Sequence, residues 1–171
     1  MGPLYLAANR EALKAISFGV SHSYNHVEKL FGCRFVRNRN DVLELAVSEL
    51  EEYFAGGRQL FSVPLALEGT PFQKQAWEAL IEIPYGSTIS YGEQAKRIRK
   101  PSASRAVGAA NGCNPLGIII PCHRVIAGSG SLAGYAGGIE NKRKLLELEG
   151  AIDPLFTAVN RHRTKRIAEA R

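Results

Sequence analysis

The chain has 171 residues, 45% of them hydrophobic, which is enough for one medium domain or two small ones with a packed core. The 22 Lys and Arg against 16 Asp and Glu leave a formal charge of +6, a balance that favours a polyanionic partner. Cys33, Cys113 and Cys122 form no CxxC pair, which argues against a disulfide framework or a cysteine-rich zinc site. No segment approaches the roughly 20 apolar residues of a membrane span, and the N-terminus lacks the apolar core of a signal peptide, so a reducing, cytoplasmic setting is expected.

Leu4 to Ala8 and Ala12 to Phe18 are short apolar segments around Asn9-Arg10-Glu11, the pattern of a hairpin. His22 and His26 stand at an i, i+4 spacing that suits a metal, but no nearby carboxylate or cysteine pattern supports one. Cys33 to Val36 reads as another strand. Asn40 or Asp41 then caps a helix with Val42, Leu45, Ala46, Leu50, Tyr53 and Phe54 at helical spacing, and Gly56-Gly57 ends it. Phe61, Val63 and Leu65 alternate in an extended segment, with a domain boundary expected within Pro64 to Gly69.

Thr70, Pro71 and Gln73 have the pattern of a capping box, followed by an apolar stripe of Phe72, Ala76, Trp77, Leu80 and Ile81. Pro84-Tyr85-Gly86 turns the chain and Thr88 to Ser90 is extended. Ser90 and Glu93 suggest a second capping box, opening a helix to about Arg99. A third helix over Ser102 to Asn111, closed by Gly112, follows almost at once. Two short helices behind a supporting helix suggest a helix-turn-helix, with Lys96, Arg97, Arg99 and Lys100 near its turn. The second helix carries small residues where a major-groove reader carries long polar ones. That suits shallow minor-groove contact, or else close packing inside the core.

Pro121-Cys122-His123-Arg124-Val125 follows the apolar run Leu116 to Ile120, which reads as a buried segment. A thiol is a nucleophile once its free pKa of about 8.5 is overcome by a cation, a base or a helix N-terminus. The competing reading is that Cys122 is a small buried hydrophobe.

Gly69-Thr70-Pro71-Phe72-Gln73, Ile89-Ser90-Tyr91, Ser104-Arg105-Ala106-Val107-Gly108, Asn114-Pro115, Ile120-Pro121-Cys122-His123-Arg124-Val125, Gly134-Tyr135-Ala136-Gly137-Gly138 and Leu148-Glu149-Gly150 stand in one order. In this register the chain resembles the O6-alkylguanine-DNA alkyltransferases over about Pro64 to Gly150, while the N-terminal part agrees only in general pattern.

The resemblance implies direct repair, in which the DNA-bound protein takes an alkyl group from O6 of guanine onto its own cysteine, with O4 of thymine as a further candidate atom. Cys122 matches the acceptor. His123 and Glu149 match the residues that, with a water, generate the thiolate, and Tyr91 matches the tyrosine that donates to the departing base. A base inside a duplex must be flipped to reach a thiol. Arg105 matches the finger that fills the gap, with Ser104, Ala106, Gly108, Ala109 and Tyr91 against the minor groove. Asn114 matches the asparagine that braces the helix-turn-helix against the active-site strand. The segment Gly128 to Gly138 is expected to wrap the base, with Pro121, Val125, Tyr135, Ala136 and Gly137 forming the pocket. Ala136 departs from the serine of many relatives, which puts base affinity or alkyl preference in question.

A thioether has no easy route back to thiolate, so each molecule is expected to act once, as a monomer on double-stranded DNA, with no cofactor and no metal. The rival readings are a non-repairing alkylated-DNA lesion-binding protein and a cysteine hydrolase with no role on DNA. The expected fold is α/β. It has a small N-terminal domain (short antiparallel sheet plus helix, 1–66 with the linker), a mainly helical winged-helix-like domain with the helix-turn-helix (67–152), and a basic tail (153–171) carrying Arg161, His162, Arg163, Lys165 and Arg166.

Overall fold

The structure, a computed structural model, describes residues 1–19, 32, 36 and 38–153. The histidine pair at 22 and 26, most of the strand expected at 33–36 and the tail beyond Asp153 lie outside the described residues.

Strands β1 (Leu4–Ala8) and β2 (Leu13–Phe18) pair antiparallel with a bulge at Ala7/Ala8. Asn9 closes their turn, its Oδ1 accepting from the Glu11 and Ala12 amides at 3.0 and 2.8 Å. Helix α1 (Asp41–Phe54) starts at Asn40, whose side chain accepts from Leu43 N, and ends before Gly56, which has φ +79°. Leu45, expected in its apolar stripe, is exposed, and Glu49 is buried instead. The Glu49 carboxylate accepts from the Ser62 and Val63 amides and the Ser62 hydroxyl, and pairs with Arg58 at 3.1 Å. These bonds pin the segment after α1 back onto the helix, and satisfy a charge that burial alone would expel.

The segment then runs beside β2, with Leu13 N donating to Pro64 O at 2.8 Å and Ala66 N to Leu13 O at 2.9 Å. On a different stretch of β2, Ile16 N donates to Pro115 O at 2.7 Å. The N-terminal hairpin is thereby registered against a loop about 100 residues further on, and one core holds Leu13, Ile16, Tyr53, Trp77, Leu116 and Val125 together.

Helix α2 (Pro71–Ile81) has the full capping box of Thr70 and Gln73. Ile81 is 52% exposed, and Ile83, just past the helix, takes the core position. After β3 (Ile89–Ser90) come α3 (Tyr91–Arg97) and α4 (Ser104–Gly112). Ser90 Oγ accepts from Glu93 N at 3.0 Å, but the Glu93 carboxylate lies 3.9 Å from Arg97 instead of completing a box. Arg99 adopts φ +59°, which ends α3 earlier than its composition suggests. Gly112 is the last residue of α4, not its cap, and Cys113 takes that place.

The apolar run at 116–120 is buried but is not a strand. Ile120 N bonds Leu116 O at 2.9 Å, Gly117 bridges Ile120, and Ile118 takes φ +77°. The five residues between Pro115 and Pro121 fold on themselves, and one bridge from Leu116 to Ile16 of β2 stands where a full strand ladder would. A single 3₁₀ turn, Cys122–Arg124, leads to β4 (Val125–Ile126), which pairs parallel with β3, and α5 (Ile139–Leu148) closes the described chain. The architecture is a small N-terminal α/β domain followed by a helical C-terminal domain.

The three helices of the helix-turn-helix region are bolted by buried polar groups. Gln94 Nε2 donates to Ala76 O at 3.0 Å and to Asn111 Oδ1 at 3.1 Å, Asn111 Nδ2 returns a bond to Gln94 Oε1 at 2.7 Å, and Trp77 Nε1 reaches Ala110 O at 2.8 Å. Gln94→Leu is expected to lower the unfolding free energy by about 2 kcal/mol, because the Asn111 amide is then buried unpaired. Adding Asn111→Leu should recover part of that loss in urea denaturation. Strictly additive losses would mean that the two amides are not coupled.

Candidate active site

Cys122 opens the 3₁₀ turn and is 8% exposed. Burial pushes its thiol pKa up, opposed by a hydrogen bond from Asn114 and by the charge of Lys142. Asn114 Nδ2 lies 3.3 Å from Cys122 Sγ and 2.8 Å from Ile120 O, while its Oδ1 accepts from Leu116 N at 3.0 Å. One side chain just beyond α4 thus holds both the thiol and the turn that presents it.

His123 is fully buried, with Nε2 2.9 Å from Glu149 Oε1. That carboxylate also accepts from Tyr53 OH at 2.7 Å, from Arg124 Nε and Nη2 at 2.8 and 2.9 Å, and from Gly86 N at 3.4 Å. Burial raises the Glu149 pKa, but the bonds from His123, Arg124 and Tyr53 outweigh it and bring the carboxyl down to about 2. Glu149 is therefore ionised near neutral pH and can only accept. Burial lowers the His123 pKa against the pull of Glu149, so the ring is neutral near pH 7. A neutral ring carries one proton, and facing a carboxylate it carries that proton on Nε2. His123 Nδ1 is left with a free lone pair, and it is buried with no hydrogen-bond partner in the protein. This is a base held next in sequence to a thiol that is itself protonated at rest.

A cavity of about 90 Å³ opens at Cys122, lined by Ala15 to Phe18 of β2, by 112–115, by Gly117 and by Tyr135, Ala136 and Gly137. The hydroxyl of Tyr135 is buried without a partner. Of the segment 128–138, only its last part forms the wall. Pro121 and Val125 are buried and do not line the cavity. Val125 pairs with Ile89, and its carbonyl accepts from Lys142 Nζ at 2.6 Å.

Lys142 was not indicated by the motifs. Its ammonium also donates to Ala133 O at 3.0 Å and Gly134 O at 3.4 Å, and burial lowers its pKa to about 8 against the pull of Cys122. The signal lay in α5, where a lysine shares the apolar face of Leu145 and Leu146. In the sequence Tyr53 reads only as core and Phe18 only as strand; nothing local marks either as part of the site.

Tyr91 opens α3, and its hydroxyl donates to Ala133 O at 3.0 Å, with Gly134 O at 3.4 Å. Gly108 of α4 faces the Tyr91 ring, and a methyl group there would meet it at 3.6 Å, an ordinary contact. On α4, Arg105, Ala106 and Ala109 are exposed, as are Lys96, Arg97, Arg99 and Lys100. The first turn of α4 has no side-chain cap and no acidic residue, so its amides remain available to an anion. Among the described residues, no His, Cys, Asp and Glu cluster is placed to hold a metal, and no helix is long and apolar enough to cross a membrane.

Two family models match the chain: residues 1–67 fit "6-O-methylguanine DNA methyltransferase, ribonuclease-like domain" and residues 71–151 its "DNA binding domain". A methylated-DNA–protein-cysteine methyltransferase of Methanosarcina acetivorans is 50% identical over 151 residues, covering 88% of this chain and 94% of that protein. The crystal structure of Mycobacterium tuberculosis OGT in complex with DNA superposes with a TM-score of 0.78 at 47% identity, covering 88% of each chain. The O6-methylguanine-DNA methyltransferase of Pyrococcus kodakaraensis superposes with a TM-score of 0.62 at 27% identity, covering 86% of this chain and 97% of that one.

Because its folded pKa is depressed, Glu149 contributes its full stabilisation above its ordinary value of 4.5 and loses it as the pH falls through about 2. Glu149→Gln leaves Arg124 buried without its counter-charge and should cost about 3 kcal/mol near neutral pH. Urea titrations should show the gap between wild type and variant closing as the pH falls below 4.5; a gap independent of pH would contradict the assigned charge state.

Proposed function

Because the chain belongs to the O6-alkylguanine-DNA alkyltransferase family, we propose that Cys122 is the cysteine that receives the alkyl group. The protein carries out direct-reversal DNA repair, moving an alkyl group from O6 of guanine in DNA to a cysteine of its own. The single observation that carries the Cys122 assignment is its thiol at the cavity, held by Asn114 and next in the chain to a buried His123 whose Nδ1 has no partner.

In this reading Nδ1 takes the thiol proton through one bridging water as Sγ attacks the alkyl carbon. The S–C bond forms, the C–O6 bond breaks, and its electron pair leaves with guanine. Glu149 stabilises the imidazolium, and the Tyr91 hydroxyl donates to the departing base. A phenol has one proton to give, so Tyr91 must release the Ala133 carbonyl when it turns to the base. Asn114 and Lys142 stabilise the thiolate as it develops. The product is a thioether with no route back, so each molecule acts once.

DNA lies along the exposed face of α4, with Ser104, Ala106, Gly108 and Ala109 against the minor groove and Arg105 filling the space of the flipped nucleotide. The exposed Arg105 side chain, the small residues and the uncapped helix start support that placement. Tyr135, Ala136 and Gly137 face the base and its alkyl group. Residues 1–66 act as a supporting domain and 67–152 as the DNA-binding and acceptor unit. The protein works as a cytoplasmic monomer, without cofactor, on O6-alkylguanine in double-stranded DNA.

Intact and peptide mass spectrometry after mixing with duplex DNA carrying O6-methylguanine should show one added methyl, on Cys122, saturating at one per chain. Cys122→Ala should abolish it while DNA binding persists. Lesion binding by the reduced wild-type protein with no mass gain would point instead to a non-repairing binder. Arg105→Ala should slow repair in duplex DNA by about tenfold or more, a loss of at least 1.4 kcal/mol in activation free energy, and leave reaction with free O6-benzylguanine within about twofold. Equal losses on both substrates would remove the base-flipping role.

A further inference from the structure

The N-terminal domain contributes a wall to the acceptor pocket. Ala15 to Phe18 line the cavity at Cys122, although they belong to β2 and lie over 100 residues earlier in the chain. Their position is imposed by backbone bonding: Ile16 N donates to Pro115 O at 2.7 Å and Ile16 bridges Leu116, so β2 is registered on the residues that flank Asn114.

At the end of that strand the Phe18 ring meets the Tyr135 ring edge-on, with centroids 6.0 Å apart and planes at 65°. Both rings press on Gly137. A methyl group at that position would lie 2.6 Å from Phe18 Cδ2 and 2.7 Å from Tyr135 Cε1, closer than any real contact. The pocket wall is therefore tight here and has no room to spare. Asn114 and Tyr135 share the lining with the Cys122 thiol, and Gly117 and Gly137 bring no side chain. Phe18 is the one large apolar ring of the lining supplied by the N-terminal domain.

We propose that Phe18 is a specificity-determining residue that limits the size of the alkyl group Cys122 can accept. The inference rests on Cys122 as the acceptor. An apolar wall discriminates by volume, and a single methylene more or less is worth about 10- to 200-fold in rate. Phe18 does not bond to His123, Glu149, Tyr91 or Lys142, so shortening it enlarges the pocket without disturbing the proton relay or the donor to the base.

The test is the single-turnover rate of alkyl transfer from duplex DNA carrying O6-methylguanine or O6-benzylguanine, with the adduct located by peptide mass spectrometry. Phe18→Ala should raise the benzyl-to-methyl rate ratio by about tenfold or more, and Phe18→Leu by a smaller factor. A ratio that is unchanged or lower in the folded variants would overturn the proposal. Phe18→Leu keeps most of the ring's volume and decides the matter by itself if the alanine variant does not fold. Failure of the acceptor assignment would look different: wild-type protein would carry its methyl group somewhere other than Cys122.

Discussion

The Glu149 carboxylate is the constraint on which the rest of the site depends. It gathers the Tyr53 hydroxyl from α1, the Arg124 guanidinium and His123 imidazole from the 3₁₀ turn, and the Gly86 amide from the turn before β3. Arg124 is fixed in turn by Nη1 donating to Ile83 O at 2.6 Å. A lone buried carboxylate would take up a proton; with five donors aimed at it, this one remains charged. Its charge selects the His123 tautomer, and the tautomer decides which nitrogen is a base. Because Tyr53 comes from the N-terminal domain, the same charge also joins the two domains.

The thiol this machinery serves is muted in the free protein. Burial raises its pKa more than Asn114 and Lys142 lower it, so it is protonated in the absence of substrate. A reagent that acts once gains from this, since a permanent thiolate would be open to oxidation and stray electrophiles. Asn114 ties the pocket to α4: the helix ends at Gly112, and two residues later the asparagine amide touches Sγ. Lys142 and Tyr91 share the carbonyls of Ala133 and Gly134, which fixes the backbone just before Tyr135 of the cavity wall.

β2 has an equally central place in the packing. It is flanked by β1, by the segment at 64–66 and by the loop at 115–116, so the small hairpin is inseparable from the core beneath Cys122. The division into two domains describes the chain's order more than its packing, because one hydrophobic cluster crosses it.

Local chemistry was legible in the sequence wherever it depends on neighbours along the chain. Asn40 and Thr70 cap helices, Gly56 ends one, Asn9 closes a turn, and the helix-turn-helix follows from spacing, because each needs only contacts within a few residues. The motif order likewise identified the family and singled out Cys122, His123, Glu149, Tyr91 and Asn114. What the sequence could not determine was which groups meet over long separations. Leu45 matches the apolar period yet faces outward while Glu49 is buried, because Ser62, Val63 and Arg58 arrive to satisfy it. The run 116–120 meets β2 at Leu116, which Ile16 bridges, and past that contact it folds into a turn. Val125 is drawn into β4 and away from the wall, while Tyr53, Lys142 and Phe18 reach the site from an N-terminal helix, a C-terminal helix and a hairpin. A hydrogen bond or a ring contact is decided by position in space, and only the tertiary fold brings residues 18, 53, 122 and 142 to one place.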